Sequence, residues 1–313
     1  MYLLRNLSEL IRFQRPISLA LGVFDGVHLG HQAVIREAVR QARGMNGDAA
    51  ILTFHPHPAK ILRPEAAPPL LTTEQQDYEL FSALDVDVCV ILDFTRELSR
   101  HSAPDFLNQL LQAIPHLRAL VVGPRWHFGH ERSGNFELLK TWAATQKLQA
   151  LEVAPVCVEG EAVSSTMIRN QIGTGEIAAA NVRLGRSYQV VGRVVRGNGI
   201  GQKMGFPTAN LDVESEWIPL HGVYAARAIC EQGSFSAAVN IGTRPTVSNS
   251  PTKVVEAHLL DFRGDLYGHH IRLDFVARVR DENKFEDLGD LKRQIEDDTR
   301  IIRGLVNPEN FRT

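Results

Sequence analysis

Between residues 16 and 154 the apolar positions fall in short, nearly unbroken runs at 17–23, 49–54, 86–92, 119–123 and 148–153. Such runs suit strands whose two faces are both buried, because neither side of the pleat meets water. The stretches between them follow another rhythm. In 31–43, Val34, Ile35, Ala38, Val39 and Ala42 lie on one helical face and Gln32, Arg36, Glu37 and Arg40 on the other. Segments 74–84 and 103–114 repeat that period, the latter with Pro104 in its first turn, where its missing N–H does no harm. Strand and helix alternating four or five times predict an α/β fold, a doubly wound parallel sheet. Ligands of such sheets lie beyond the carboxyl ends of the strands.

From about residue 183 the texture changes. Glycine-rich turns separate short runs rich in Val, Ile, Tyr and Phe at 188–195, 223–229, 236–241, 254–260 and 270–279. In 224–229 and 272–279 apolar and polar positions alternate, as in strands with one buried face. Short strands with tight turns predict a small antiparallel β-barrel. A C-terminal helix follows, marked by Leu288, Leu291, Ile295, Ile302 and Leu305. Gly173, Gly175 and Gly185 cluster in 172–186 and mark the boundary, giving domains 1–182 and 183–313.

Composition narrows the function classes. The 313 residues are 44% hydrophobic and 22% charged, an ordinary globular balance. Lys and Arg number 34 against 36 Asp and Glu, so the basic excess of a general nucleic-acid binder is missing. No apolar run approaches the ~18 residues of a membrane helix, and Arg5, Glu9, Arg12 and Arg15 interrupt any signal-peptide core. The three cysteines are far apart and form no C-x-x-C pair, which argues against a disulfide framework or zinc site. The expectation is a soluble cytoplasmic protein with reduced thiols, with neither nucleic acid nor membrane as partner. The oligomeric state stays open, a homo-oligomer included.

Three clusters in the first half carry candidate chemistry. Gly22, Phe24, Asp25, Gly26, His28, Gly30 and His31 lie between a buried strand and a helix. The glycines allow close backbone approach, and a helix N-terminus offers N–H groups to phosphate. His28 and His31 can donate hydrogen bonds to a phosphate whose charge grows in the transition state. His57, in the stiff stretch Thr53-Phe54-His55-Pro56-His57-Pro58, follows the next strand. A transition-metal site is the lesser alternative, since carboxylate and thiolate ligands are missing from these segments. Ser164, Ser165, Thr166 and Arg169 combine hydroxyls ahead of a helix with a guanidinium one turn later. That pattern is an N-cap or an anion grip. The three clusters together resemble the nucleotidyltransferase superfamily, with its H-x-G-H and S-S/T-x-x-R motifs.

In the second half, Gly199, Gly201, Lys203 and Gly205 form a glycine-rich stretch that leads into Pro207, Thr208, Ala209 and Asn210. The glycines suit a flap around phosphate. In an extended segment Thr208 and Asn210 share a face, and their neutral oxygens suit Mg²⁺ bound to ATP. The bland reading is a bulged strand and turn. Glu256, between Val255 and Ala257, is either a solvent-facing carboxylate or, at the barrel mouth, a candidate general base for an alcohol.

Both halves in this order resemble the prokaryotic bifunctional FAD synthetase family, riboflavin kinase joined to FMN adenylyltransferase. The likeness runs over about residues 15–305, through 22–31, 53–58, 164–169, 205–210, 222–224, 240–246, 255–260 and 265–268. It implies a Rossmann-like nucleotidyltransferase domain followed by a riboflavin kinase barrel. The implied substrates are riboflavin, FMN and ATP with Mg²⁺, and the products are FMN and FAD. In the kinase, Thr208 and Asn210 would hold Mg²⁺ and phosphates, and Glu256 would take the hydroxyl proton. In the adenylyltransferase, His28 and His31 would grip the triphosphate, with Ser164, Ser165, Thr166 and Arg169 closing over it. Asp25 would sit by the nucleotide and His57 by the phosphates. Two positions depart from the family pattern. Arg125 stands in Val122-Gly123-Pro124-Arg125-Trp126-His127-Phe128-Gly129, where the family has Asn or Asp, and Gln202 stands where the flap has a basic residue. Arginine has donors only, so an acceptor is lost at 125. The alternatives are a riboflavin kinase whose first domain lacks adenylyl transfer, and a non-catalytic flavin-binding protein.

Overall fold

The computed structural model describes residues 1–197, 201, 205–244, 252–283, 285 and 287–306. The chain divides into two compact units. One holds Met1–Pro69 and Glu74–Ser164, the other Leu70–Thr73 and the chain from Ser165.

In the first unit the runs of apolar residues become strands β2 (Ile17–Leu21), β3 (Asp48–His55), β4 (Val88–Asp93), β5 (Leu117–Val122) and β6 (Gln149–Glu152), preceded by β1 (Tyr2–Leu4). They form a parallel sheet in the order β1-β4-β3-β2-β5-β6. Successive residues of each central strand feed opposite cores. Leu19, Leu21, Leu52, Val88, Val90, Leu120 and Val122 enter one cluster, and Ala20, Ile51, Cys89, Ile91 and Val121 enter the other. Burial on both faces accounts for the unbroken apolar runs. Helices α1 (Leu29–Gly44), α2 (Pro58–Leu62), α3 (Glu74–Ser82), α4 (Ala103–Ala113) and α5 (Phe136–Thr145) link the strands. The chain builds outward from β2 through β3 to β4, then crosses back to β5 on the other side of β2. Loops leaving β2 and β5 therefore diverge, which opens a crevice at their carboxyl ends. A small hairpin of β7 (Cys157–Val158) and β8 (Glu161–Ala162) completes the unit.

The second unit begins with α6 (Ser165–Thr174), the helix expected behind the hydroxyls of 164–166, and α7 (Ile177–Leu184), which falls in the glycine-marked boundary. Gly185 caps α7 in the left-handed region at φ 67°, a conformation that favours glycine. Strands β9 (Tyr188–Val195), β10 (Ala209–Val213), β11 (Gly222–Cys230), β12 (Gly233–Arg244), β13 (Thr252–Leu259) and β14 (His270–Arg280) close a barrel in the order β10-β13-β12-β11-β14-β9. Val190, Val239, Ile241, Val255, Ala257, Leu273 and Phe275 are buried. Helix α8 (Leu288–Leu305) packs Ile302 against Ala225 and Leu260. The doubly wound sheet, the barrel and the closing helix are thus as the hydrophobic pattern predicts.

Candidate active sites

The first candidate site is built where β2 ends. Gly22 follows the strand and its N–H donates to the Leu52 carbonyl on β3 at 3.2 Å. Its missing Cβ leaves room for the Phe24 ring, whose Cζ would lie 3.1 Å away. Phe24 is buried and meets Phe81 and His31 edge-on. The Val27 N–H donates to the Phe24 carbonyl at 2.9 Å, a tight turn in which Gly26 has φ 82°. The Gln32 amide ties α1 back to this turn, Nε2 to the Val27 carbonyl at 3.0 Å. His28 is the N-cap of α1, and its Nδ1 accepts the His31 N–H at 3.3 Å. The two imidazoles stack at 3.6 Å between centroids and 19° between planes. Gly30 makes this possible, since a Cβ there would stand 3.1 Å from His28 Cε1. His28 and Asp25 are 5% and 6% exposed, so both are largely withdrawn from water at the edge of the crevice. Sequence thus brings Gly22, Phe24, Asp25, Gly26, His28, Gly30 and His31 into one turn at a helix N-terminus, a setting that attracts phosphate.

His57 leaves the neighbouring strand end. Its Nδ1 accepts the Ala59 N–H at 3.1 Å and caps α2. Among the described residues, no group of three or more His, Cys, Asp and Glu could hold a metal ion. The Ser164–Arg169 stretch spans the division between the units: Ser164 ends the first and Ser165 opens α6 of the second. Ile168 and Ile172 of α6 are fully buried, and the Arg169 carbonyl accepts Trp217 Nε1–H at 3.0 Å.

Across the crevice, β5 runs into the loop that carries Arg125. This residue is exposed with φ 57°, and its carbonyl lies 2.8 Å from His127 Nδ1. Trp126 and Phe128 stack at 4.3 Å and hold the loop to the core. The left-handed backbone at 125 is of the kind that Asn and Asp adopt most readily among non-glycine residues.

The second candidate site lies on the barrel. Gly199 and Lys203, together with Gln202, fall outside the described residues. Asn210 on β10 pairs with Glu256 on β13, and Glu256 pairs with Asn240 on β12. Residues directly opposite in adjacent strands share a face, so the three side chains form one row across three strands. Their neighbours Val239, Ile241, Val255 and Ala257 are fully buried, whereas Glu256 and Asn240 remain partly exposed. The row therefore faces outward from the barrel, on the wall where Gly197 lies against Asn210. Asn210 is 9% exposed and lies against Gly197, where a Cβ would approach its Cγ to 2.5 Å and its Oδ1 to 2.6 Å. Gly201 faces Thr208, with Oγ1 3.4 Å from where a Cβ would stand, and also meets the Phe206 carbonyl. Gly205, with φ 86°, and Pro207 are exposed beside them. His258 Nδ1 sits 2.7 Å from the Pro207 carbonyl, and its ring meets Phe206 edge-on. Glycine backbone, a hydroxyl, two amides and a carboxylate thus lie along one surface. Sequence singled out Thr208, Asn210 and Glu256. The stretch 240–246 entered through the family likeness, and strand pairing and packing are what show that Asn240 stands beside Glu256 and that Gly197 backs Asn210.

A family model described as FAD synthetase matches residues 10–167, and one described as riboflavin kinase matches residues 184–306. The bifunctional riboflavin kinase/FMN adenylyltransferase of Haemophilus influenzae is 33% identical over 98% of this chain and 100% of its own length. That of Pseudomonas fluorescens is 33% identical over the whole of both chains. The chain belongs to the bifunctional riboflavin kinase/FMN adenylyltransferase family. The Escherichia coli K12 member is likewise 33% identical over 98% of this chain. A crystal structure titled as a macrolide-efflux protein from Streptococcus pneumoniae has the same fold, with TM-score 0.85 and 26% identity over 96% of this chain and 98% of that one. Among the described residues, no helix here is long and apolar enough to cross a membrane. The resemblance read from the motifs holds over the full length, with the two family domains in the predicted order.

Proposed function

We propose that the chain converts riboflavin to FAD in two ATP-dependent transfers, with 183–313 as the kinase domain and 1–182 as the adenylyltransferase domain. In the first, the riboflavin 5′-hydroxyl oxygen attacks the γ-phosphorus of ATP. Glu256 takes the hydroxyl proton, the bond to the bridging oxygen breaks, and ADP leaves with FMN as product. In the second, an FMN phosphate oxygen attacks the α-phosphorus of another ATP, and pyrophosphate leaves. No covalent enzyme intermediate is needed, so the protein's work is positioning and charge stabilisation. His28, His31 and the α1 N-terminus meet the growing negative charge, and by family resemblance Asp25 lies by the nucleotide, His57 by the phosphates, and Ser164, Ser165, Thr166 and Arg169 take the triphosphate.

Thr208 and Asn210 suit Mg²⁺: they offer hard neutral oxygens, and among the described residues no all-carboxylate cage competes with them. A bound Mg²⁺ would screen phosphate charge at that position. Gly199, Gly201, Lys203, Gly205 and Pro207 are assigned to the flap over that triphosphate. The proposed setting is the cytoplasm, consistent with three free cysteines.

The observation that carries the kinase reading is the Asn210–Glu256–Asn240 row beside two glycines with no space for a side chain. The test is incubation of purified protein with riboflavin, Mg²⁺ and ATP, followed by separation of the flavins. FAD is expected. FMN alone would mean that the first domain has lost adenylyl transfer, with Arg125 the first suspect, and unchanged riboflavin would overturn the assignment. Glu256→Gln should slow FMN formation ~10²–10⁴-fold and leave FMN-to-FAD conversion near wild type.

A further inference from the structure

The stretch after β14 is held at both ends. Arg280 closes β14 and binds Asp298 of α8 through Nε, 3.0 Å from both carboxylate oxygens, and Nη2, 2.8 Å from Oδ2. Asp298 is 3% exposed and also accepts Gln294 Nε2 at 2.9 Å. The same guanidinium donates to the Asp281 carbonyl at 2.8 Å and lies 5.8 Å from the Phe285 ring centre. Asp281 itself is engaged by Arg278 at 2.7 Å. Glu282 follows, and it is placed differently. Its carboxylate lies against Gly242 of β12, where a Cβ would stand 2.8 Å from Oε1 and 3.6 Å from Asn240 Nδ2. Among the described residues no hydrogen bond or ion pair engages it.

Asn240 and Gly242 are two apart in β12 and share its outer face. Glu282 therefore extends the row that starts at Asn210 and passes through Glu256 and Asn240. Adjacent strands lie ~4.8 Å apart, so Asn210 to Asn240 spans ~10 Å. The phosphoryl donor takes the Thr208–Asn210 end and the base stands next to it. The far end is where the rest of the acceptor alcohol must lie. A carboxylate has acceptors only and needs donors. A phosphate would be repelled there, whereas a neutral chain of hydroxyls supplies the donors.

We infer that Glu282 is a specificity-determining residue of the kinase site, accepting hydrogen bonds from the hydroxyls of the acceptor's sugar-alcohol chain. The inference rests on the kinase reading of the second unit. The Arg280–Asp298 clamp positions it, and Gly242 leaves it the space.

The test uses the full-length protein. Glu282→Ala should raise KM for riboflavin ~10–10²-fold, the scale of one or two hydrogen bonds to a charged group, with KM for ATP and FMN-to-FAD conversion unchanged. Glu282→Gln, which keeps one acceptor oxygen, should fall between. Gly242→Ala displaces the carboxylate and should reproduce the alanine phenotype. Wild type should favour riboflavin over a ribityl-deoxy analogue, and Glu282→Ala should lose that preference. Equilibrium titration of riboflavin fluorescence provides a second readout that needs no turnover. An unchanged riboflavin Kd and KM in both Glu282→Ala and Gly242→Ala would overturn the inference. Failure of the wild type to form FMN would instead overturn the kinase reading, and the titration would still decide whether Glu282 contacts flavin.

Discussion

Gly197→Ala is a one-carbon change that should disable one reaction and spare the other. Gly197 does not have a positive φ, so alanine fits the backbone and any effect comes from the added methyl. That methyl would stand 2.5 Å from Asn210 Cγ and 2.6 Å from Oδ1, against about 3.4 Å for ordinary contact. The Asn210 amide must move by about 1 Å. It has little lateral freedom, because its backbone is paired with Val195 on one side and Glu256 on the other and the residue is 9% exposed. A misplacement of ~1 Å in a positioning group costs ~10²-fold, or ~2.7 kcal/mol in the barrier. Steady-state kinase assays should show that loss in kcat/KM for ATP, while adenylylation of supplied FMN stays at the wild-type rate and confirms folding. The decisive control is the Asn210→Ala background. With the amide gone, Gly197→Ala should add little, since two changes acting through one group are not additive. An equal loss in both backgrounds would refute the argument through Asn210.

Further outcomes test the other domain and the core. His28→Asn keeps a side-chain acceptor for the N-cap of α1, so stability should stay near wild type, while His28→Ala should lose about 1 kcal/mol by denaturant unfolding. Both should reduce FAD formation and leave FMN formation intact. Arg125→Asn should raise the melting temperature slightly, because the left-handed region costs most L-residues ~1–2 kcal/mol and Asn offsets part of that through local hydrogen bonds. A rise of ~10²-fold in FAD output, ~2.7 kcal/mol in the barrier, would show that Arg125 had blocked adenylyl transfer. Burial pushes the Cys89 thiol up to about 12, so it stays protonated at pH 8. Alkylation of native protein at that pH should label the exposed Cys157 and spare Cys89 until the chain unfolds. Labelling of Cys89 at the rate of Cys157 would contradict its burial.

Much of the architecture was visible in local pattern. The four strands β2–β5 stood out because both faces of each are largely apolar, edge strand β6 only through Ala150 and Leu151, and α1 because Val34, Ile35, Ala38 and Ala42 follow the helical period. The turn from Gly22 to His31 was equally legible, since its residues act within one local stretch. Strand β1 was missed because a three-residue edge strand has too few positions to show a period. Helix α7 was hidden by glycines that end helices rather than mark a linker: Gly175 follows α6 and Gly185 caps α7.

The chain's own order of residues determined the two textures, the phosphate-type turn after β2 and the identities of Thr208, Asn210 and Glu256. Only tertiary structure decided that Asn210, Glu256 and Asn240 stand side by side, that their row lies on the barrel's outer wall, and that Glu282 reaches Gly242. The physical reason is range. Helical and strand periods reflect neighbours a few residues apart, whereas strand register is set by closing the whole barrel, and no short window of sequence contains that constraint.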